Sequence, residues 1–313
     1  MQYKSIIVFK SHLYISCSYK TLVQIRCYYE KNIEKYNALC LHIICKYILY
    51  IEGDFLMSYL LQLLIFGITG SLVYYGVYYG TPLLIKKGVP LIYAFWFFLW
   101  FPVMSLFPIS LLLYHLEGNA WTWQNILERF RFNPLTENDW YWVVGAIIVT
   151  IFADLFLEPL GKFFAKLPML APPSYLPAPF NPLKRMELPP SEFFGVTLYR
   201  NWKMITIFIP LHLFAMLCEE LMWRGFFLPI QQEIFGNWAW VVNGLLWAWV
   251  VHACLKWHFI NMLPSMLIAP WIAQFTNSTW ASFATHSIGN SLLWILLLVG
   301  ITKKTKPQNI NSI

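Results

Sequence analysis

Seven long apolar runs constrain the fold of this chain more than any other feature of its sequence. Most have about 20 residues, the length that an α-helix needs to cross the hydrocarbon core of a bilayer. Irregular backbone is excluded from lipid, and no run of alternating polarity favours a membrane barrel. Only 12% of the 313 residues are charged, whereas soluble domains carry about 25%. The sequence therefore predicts an all-α fold, a polytopic transmembrane helical bundle of about seven spans.

A short amphipathic segment lies between the second and third predicted spans. In Asn119–Phe132, apolar residues follow one helical face and polar residues the other, as in a helix at the membrane interface. Thr136 and Asp139 then predict a capped start for the third span. The predicted spans are Ser58–Tyr79, Leu91–Tyr114, Trp140–Leu160, Lys203–Gln232, Trp238–Trp257, Phe259–Phe275 and Thr279–Gly300.

Composition divides the chain into parts. Residues 1–56 hold four of the six cysteines but no tryptophan or proline, so we predict a non-native upstream extension or a disordered tail, with the natural start at Met57. Eight prolines and several basic residues between residues 161 and 200 predict a linker. The expected order is an extension or tail (1–56), a three-span half (57–160), a proline-rich basic linker (161–200), a four-span half with the candidate site (201–302) and a basic cytoplasmic tail (303–313).

The net charge of +7 is explained by the basic residues that a membrane protein carries next to its spans. Lysines and arginines next to membrane spans mark cytoplasmic segments, so no nucleic-acid partner is expected. The basic residues follow the first, third, fifth and last spans, so we predict that the first span begins on the outer side. This orientation places Glu219 past the middle of its span, toward the outer half. The expected location is the plasma membrane of a bacterium.

Three charged residues, Glu219, Glu220 and Arg224, lie inside the fourth predicted span. Each charge in hydrocarbon costs about 2.5–3.5 kcal/mol even on the lenient insertion scale, so intramembrane ionisable groups indicate function. Glu220 and Arg224 are four residues apart, a spacing that predicts a buried pair holding helices in register. The side chain of Glu219 is rotated by about 100° around the helix axis from that of Glu220. It therefore has no ion-pair partner nearby in the sequence. We therefore interpret Glu219 as a candidate general base.

Histidines in two later spans are further candidates. His286 and Asn290 are four residues apart on one face of the last predicted span, and two strong hydrogen-bonding groups on one intramembrane stripe indicate function. His252 lies on an apolar stretch of the fifth span. A lone histidine there fits packing as well as function, and the spacing alone leaves both open.

Taken together, these residues resemble the three motifs of the CAAX-protease and bacteriocin-processing family, the type II prenyl endopeptidases. Glu219-Glu220-x-x-x-Arg224 is similar to the first motif, and His286-x-x-x-Asn290 is similar to the third. The second motif is a phenylalanine four residues before a histidine. Here His252 matches the histidine, while Ala248 stands at the aromatic position between Trp247 and Trp249. The resemblance covers residues 216–290.

The resemblance implies an intramembrane endopeptidase that cleaves a membrane-associated or prenylated peptide. It implies that Glu219, assisted by His252, activates the attacking water, and that His286 and Asn290 donate hydrogen bonds to the oxyanion. Zinc is compatible with Glu219, His252 and His286, because catalytic zinc commonly has three protein ligands and a water. A metal-free glutamate mechanism is equally compatible. The implied partners are the lipid bilayer and a peptide or lipidated protein.

The sequence lacks the motifs of several other enzyme classes. The chain has no His-Glu-x-x-His zinc motif, no Gly-x-Ser-x-Gly elbow and no phosphate-binding Walker loop. Two alternatives to an enzyme stay open on the sequence. One is a non-catalytic membrane immunity or scaffold protein, and the other is a small proton-coupled transporter whose buried glutamate, histidine and arginine side chains relay protons.

Overall fold

The computed structural model of the chain describes residues 8–9, 13–14, 59–252 and 255–303. The chain divides into two units, Met1–Leu60 and Leu61–Ile313. Strand β1 (Val8–Phe9) pairs antiparallel with β2 (Leu13–Tyr14). Otherwise, the part predicted to be an extension or a tail lies outside the described residues, and so do the proposed start at Met57 and the tail beyond Lys303.

Helices make up most of the described chain, which confirms the predicted all-α, polytopic bundle. They are α1 (Tyr59–Lys86), α2 (Leu91–Met104), α3 (Leu106–Leu116), α4 (Trp123–Arg129), α5 (Glu137–Ala165), α6 (Trp202–Glu220), α7 (Leu228–Phe235), α8 (Ala239–His252), α9 (Leu263–Thr276) and α10 (Thr279–Thr302). A π-helix, Leu221–Phe227, joins α6 to α7 without a break.

Five helical runs in the described part of the chain are long and apolar enough to cross a membrane. They are Tyr59–Lys86, Leu91–Leu116, Glu137–Ala165, Trp202–Val250 and Thr279–Thr302. The fourth run contains the whole fourth predicted span and most of the fifth. Helix α9, the predicted sixth span, has 14 residues and so a length of about 21 Å, less than the roughly 30 Å of a bilayer core. Seven crossings therefore remain a prediction.

The predicted cap at the start of the third span is confirmed. The Thr136 hydroxyl accepts a hydrogen bond from the backbone N–H of Asp139 at 3.2 Å. The Asp139 carboxylate accepts one from the backbone N–H of Thr136 at 2.8 Å. This reciprocal pair satisfies donors that a helix start leaves unpaired, so α5 begins at Glu137.

The proline-rich segment after α5 packs into the bundle. It contains a small antiparallel hairpin of β3 (Glu192–Phe193) and β4 (Val196–Thr197). Leu176 and Phe194 are buried in one apolar cluster with Trp100 of α2 and Phe208 of α6. Prolines restrict the backbone and remove donors, which explains why this segment is not helical. Division of the chain into two halves stays a prediction, since the contacts join residues 61–313 into one unit.

The helix ends meet at two opposite sides of this unit. At the first side, here called the linker end, the backbone N–H of Arg200 donates to the Ile301 carbonyl at 3.0 Å. Lys256 there donates to the Met169 carbonyl at 2.8 Å. At the second side, here called the α4 end, the backbone N–H of Thr279 donates to the Arg131 carbonyl at 2.8 Å. Helix α6 therefore starts at the linker end, and α10 starts at the α4 end.

Charge is distributed unequally between the two ends. The α4 end carries two basic residues, Arg129 and Arg131, among the described residues. It also carries the acidic residues Glu117, Glu128, Glu137, Asp139 and Glu233. The lysines and arginines described at the linker end are Lys86, Lys87, Lys162, Lys166, Lys184, Arg185, Arg200, Lys203, Lys256 and Lys303.

Candidate active site

The π-helix after α6 shapes the region around the charged motif. A π-helix leaves carbonyl groups without their usual α-helical partners, and such segments are frequent at functional sites. Two side chains from other elements donate to these carbonyls. The Asn243 amide of α8 donates to the Trp223 carbonyl at 2.8 Å, and the Arg129 guanidinium of α4 donates to the Gly225 carbonyl at 3.3 Å.

Asn243 belongs to a buried chain of amide side chains. Its amide also donates to the Gln231 side chain at 2.8 Å. Gln231 in turn donates to Gln62 of α1 at 2.9 Å. All three side chains are buried. This chain of hydrogen bonds connects α1, α7 and α8 to the π-helix.

The predicted contact between Glu220 and Arg224 is present inside the bundle. The Glu220 Oε2 atom lies 3.4 Å from Nε of Arg224, and both side chains are completely buried. The other carboxylate oxygen, Oε1, lies 3.0 Å from Nδ1 of His286. Glu220 therefore connects the first motif to the third, because the packing of α6 against α10 turns it toward His286.

Glu219 has a different environment from Glu220. Its Oε1 atom accepts a hydrogen bond from the indole nitrogen of Trp247 at 3.1 Å. Only 7% of the residue is exposed. It forms no ion pair within the described part of the chain. A buried carboxylate with one neutral donor and no cation at salt-bridge distance is suited to accept a proton.

Trp247 contacts Arg224 and His286 as well as Glu219. Its ring lies 3.8 Å from the guanidinium carbon of Arg224, a cation–π contact. Its ring centroid is 5.1 Å from that of His286 in an edge-to-face arrangement. Considering only described residues, the Arg224 nitrogens form no hydrogen bond, so this ring and Glu220 are their main partners. Trp247 was not among the predicted site residues. The signal was present, since tryptophans flank the position where the family has its aromatic residue.

The described contacts do not test the roles of two predicted site residues. His252 is the last residue of α8, and its side chain lies outside the described residues. The Asn290 amide donates to the His286 carbonyl at 3.0 Å, within α10. The roles predicted for both residues therefore stay predictions.

His212 lies on α6 before Glu219, in an aromatic environment. Its Nδ1 atom accepts a hydrogen bond from the Trp294 indole at 3.0 Å. Its ring packs against Trp100 and Phe208. These contacts suit a packing role for His212 between α2, α6 and α10.

The described side chains alone provide too few ligands for a metal ion. No group of three or more histidine, cysteine, aspartate or glutamate side chains is placed to hold an ion in the described ranges. Glu220 and His286 meet, but Glu220 is engaged by Arg224 as well. The predicted zinc set of Glu219, His252 and His286 depends on a side chain that is not described.

Comparison with known proteins identifies one family. Residues 201–292 match the family model described as Type II CAAX prenyl endopeptidase Rce1-like. No curated protein and no solved structure matches the chain. The matched residues run from the start of α6 into α10 and contain Glu219, Glu220, Arg224, Trp247 and His286. The chain is an integral membrane protein whose residues 201–292 are similar to the type II CAAX prenyl endopeptidases.

Proposed function

We propose that this protein is an intramembrane endopeptidase that cleaves a membrane-associated or prenylated peptide, with Glu219 as the base that activates water. The observation that supports this proposal best is the buried cluster of Glu219, Trp247, His286 and Glu220 within the matched segment. The cluster joins the first and third motifs through direct contacts. A bacterial plasma membrane is the proposed location.

Glu219 would accept the proton of the attacking water as the new carbon–oxygen bond forms at the scissile carbonyl. The Trp247 N–H holds one carboxylate oxygen, which leaves the second oxygen to meet the water. The proton then passes to the departing amine, so that the peptide bond breaks and the acid and amine products form. General acid–base catalysis by one positioned group typically contributes about 10²–10⁴ in rate.

His286 would stabilise the negative charge on the carbonyl oxygen. Glu220 engages Nδ1, which orients the ring and leaves Nε2 as the atom that faces a substrate. With a proton on each nitrogen, Nδ1–H is donated to Glu220 and Nε2–H to the oxyanion. Asn290 would join His286 in this role by releasing the helix carbonyl that its amide now contacts, and His252 would assist Glu219.

These steps are written for glutamate and water alone. Zinc bound by Glu219, His252 and His286 remains the alternative proposal. Cleavage assays with and without a chelator distinguish the two. Loss of activity with chelator and recovery with added zinc would favour the metal, whereas unchanged activity would favour glutamate and water alone.

The test is cleavage by purified protein in detergent. The probes are a fluorogenic peptide with a farnesylated cysteine near its C-terminus and a bacteriocin-leader peptide. We expect wild-type protein to hydrolyse at least one of them and Glu219→Gln to be at least 10²-fold slower, about the lower bound for losing a general base. Glu128→Gln, which changes an exposed glutamate of α4, is the matched control and should be unaffected.

Absence of hydrolysis by folded wild-type protein would contradict the proposal. In that case equal effects of Glu219→Ala and His286→Ala on partner binding would favour a scaffold or immunity protein. Proton-driven uptake into vesicles would favour a transporter.

A further inference from the structure

We infer that the C-terminal end of α4 belongs to the catalytic machinery, and that Arg129 and Arg131 are positioning residues that set the contact between Glu220 and His286. This inference rests on the proposed peptidase function. Both arginines lie outside residues 201–292, the segment that matches the family model. Their contacts reach both elements that carry the site, namely the helical run that contains Glu220 and the helix that contains His286.

The carbonyl of Gly225 lacks its α-helical donor. In an α-helix this donor is the N–H four residues later, but that residue is Pro229, which has no N–H. Arg129 supplies a donor from α4, with Nη1 at 3.3 Å from the carbonyl oxygen. Gly225 follows Glu220 by five residues. This hydrogen bond therefore holds the helical run just beyond the carboxylate that contacts His286.

The Arg129 side chain is itself fixed by its other contacts. Its Nε and Nη2 atoms each lie 2.6 Å from a carboxylate oxygen of Glu117, at the end of α3. A bidentate pair of this kind fixes the plane of the guanidinium group. The ring of Phe226 lies 4.2 Å from the guanidinium carbon. The remaining nitrogen is therefore presented to Gly225 in one orientation.

The backbone at the end of α4 lies between the π-helix and the start of α10. A Cβ atom on Gly225 would lie 2.9 Å from the Phe130 carbonyl oxygen, so these two backbones are in close contact. The Phe130 carbonyl accepts a hydrogen bond from the hydroxyl of Thr279 at 2.7 Å. The Arg131 carbonyl accepts one from the Thr279 N–H at 2.8 Å. Since Thr279 is the first residue of α10, this end of α4 contacts both elements of the site.

The Arg131 side chain connects the same two elements a second time. Its Nη1 atom donates to Oε1 of Gln232 in α7 at 2.6 Å, and its Nε atom donates to Oδ1 of Asn277 at 2.7 Å. Helix α7 continues directly from the π-helix, and Asn277 lies in the turn before α10. One guanidinium group therefore joins the two elements whose relative position decides whether Glu220 reaches His286.

The contact that depends on this arrangement is short. Oε1 of Glu220 lies 3.0 Å from Nδ1 of His286. In the proposed mechanism this contact orients the imidazole toward the oxyanion. A displacement of about 1 Å at a reacting group can cost about 10²-fold in rate. A shift of α10 against the π-helix therefore lowers kcat and leaves KM nearly unchanged.

Steady-state kinetics on the cleaved peptide test the inference. Arg129→Gln and Arg131→Gln should each lower kcat about 10-fold, and both together about 10²-fold, with little change in KM. Arg185→Gln makes the same substitution at an exposed arginine of the proline-rich segment. It is the matched control and should keep wild-type kinetics. A wild-type kcat in the variant that carries both α4 substitutions would overturn the inference.

Combination with His286→Ala separates positioning from a general effect on the fold. In the His286→Ala background, the two α4 substitutions together should lower kcat by less than about twofold, because the group that they position is absent. A larger further loss would show that the arginines act independently of His286, and it would overturn the inference.

Thr279→Val provides a milder variant for the case that the arginine variants do not fold. The substitution keeps the shape of the side chain and removes the hydroxyl that donates to Phe130. We expect a lower kcat with unchanged KM. Wild-type kinetics of Thr279→Val, with both arginine variants unfolded, would overturn the inference.

The outcomes separate this inference from the proposed function. Hydrolysis by the wild-type protein together with a wild-type kcat in the folded arginine variants would overturn the inference while the peptidase function stands. Absence of hydrolysis by folded wild-type protein would overturn both.

Discussion

The indole nitrogen of Trp247 lies 3.1 Å from Oε1 of Glu219, and this hydrogen bond joins α8 to the charged motif at the end of α6. The same indole ring covers the Arg224 guanidinium. Trp247 thus holds the candidate base on one side and stabilises a buried cation with its ring. Its two functions can be separated by substitution.

Trp247→Phe should retain the aromatic surface over Arg224 but remove the donor to Glu219. A hydrogen bond to a charged group contributes about 1.5–3 kcal/mol, so we expect kcat/KM to fall about 10- to 100-fold. The melting temperature should also fall, because Trp247 is buried and the smaller ring leaves a cavity. Trp249→Phe is the matched control, because Trp249 is 55% exposed. Wild-type activity of Trp247→Phe would show that the hydrogen bond does not position the base.

The buried Glu220–Arg224 pair should be needed for stability. Glu220→Gln leaves the Arg224 charge buried without its carboxylate, which typically costs about 3–5 kcal/mol. Unfolding of the purified variant in detergent, followed by circular dichroism, measures the loss. Glu158→Gln is the control, since Glu158 pairs with Lys162 at 2.7 Å on the surface and exposed pairs contribute about 0–1 kcal/mol.

A double variant then separates stability from activity. Replacing both partners of a buried pair by groups of similar volume is often neutral or stabilising. We therefore expect Glu220→Gln with Arg224→Met to regain much of the lost stability but not the activity, because the carboxylate that orients His286 is absent. Recovery of activity together with stability would restrict Glu220 to a packing role.

His286→Ala should reduce kcat more than it changes KM. An oxyanion donor acts mainly in the transition state, and loss of one donor typically costs about 10²–10³ in kcat. Steady-state kinetics on the cleaved peptide provide the measurement. His115→Ala, at an exposed position of α3, is the matched control. A higher KM with unchanged kcat would assign His286 to substrate binding.

Asn243→Ala should weaken the region around the π-helix. The variant loses the donor to the Trp223 carbonyl and the hydrogen bond to Gln231. An unsatisfied buried polar group costs about 1–3 kcal/mol, so the unfolding free energy and the activity should both decrease. Asn119→Ala changes an asparagine in the turn between α3 and α4 and should have little effect. Unchanged stability of Asn243→Ala would mean that the carbonyl finds another donor.

The helical membrane class and the candidate motifs could be read from the residue order. A long apolar run in lipid forms an α-helix, because the helix satisfies every backbone donor and acceptor within the run. Glu219, Glu220, Arg224 and His286 were predicted because charged or strongly polar groups in such runs carry a large energetic cost. The cap formed by Thr136 and Asp139 is likewise a local feature of four consecutive residues.

The partners of these side chains depended on packing between helices that are distant in the chain. The His286 side chain contacts the carboxylate of Glu220, because the rotation of α10 against α6 decides which of the two neighbouring glutamates it faces. The π-helix alters the rotation of every residue that follows Glu220, and its free carbonyls are satisfied by Asn243 and Arg129 from other helices. A pattern of spacings cannot specify such contacts, since their energy exists only when the separate helices pack together.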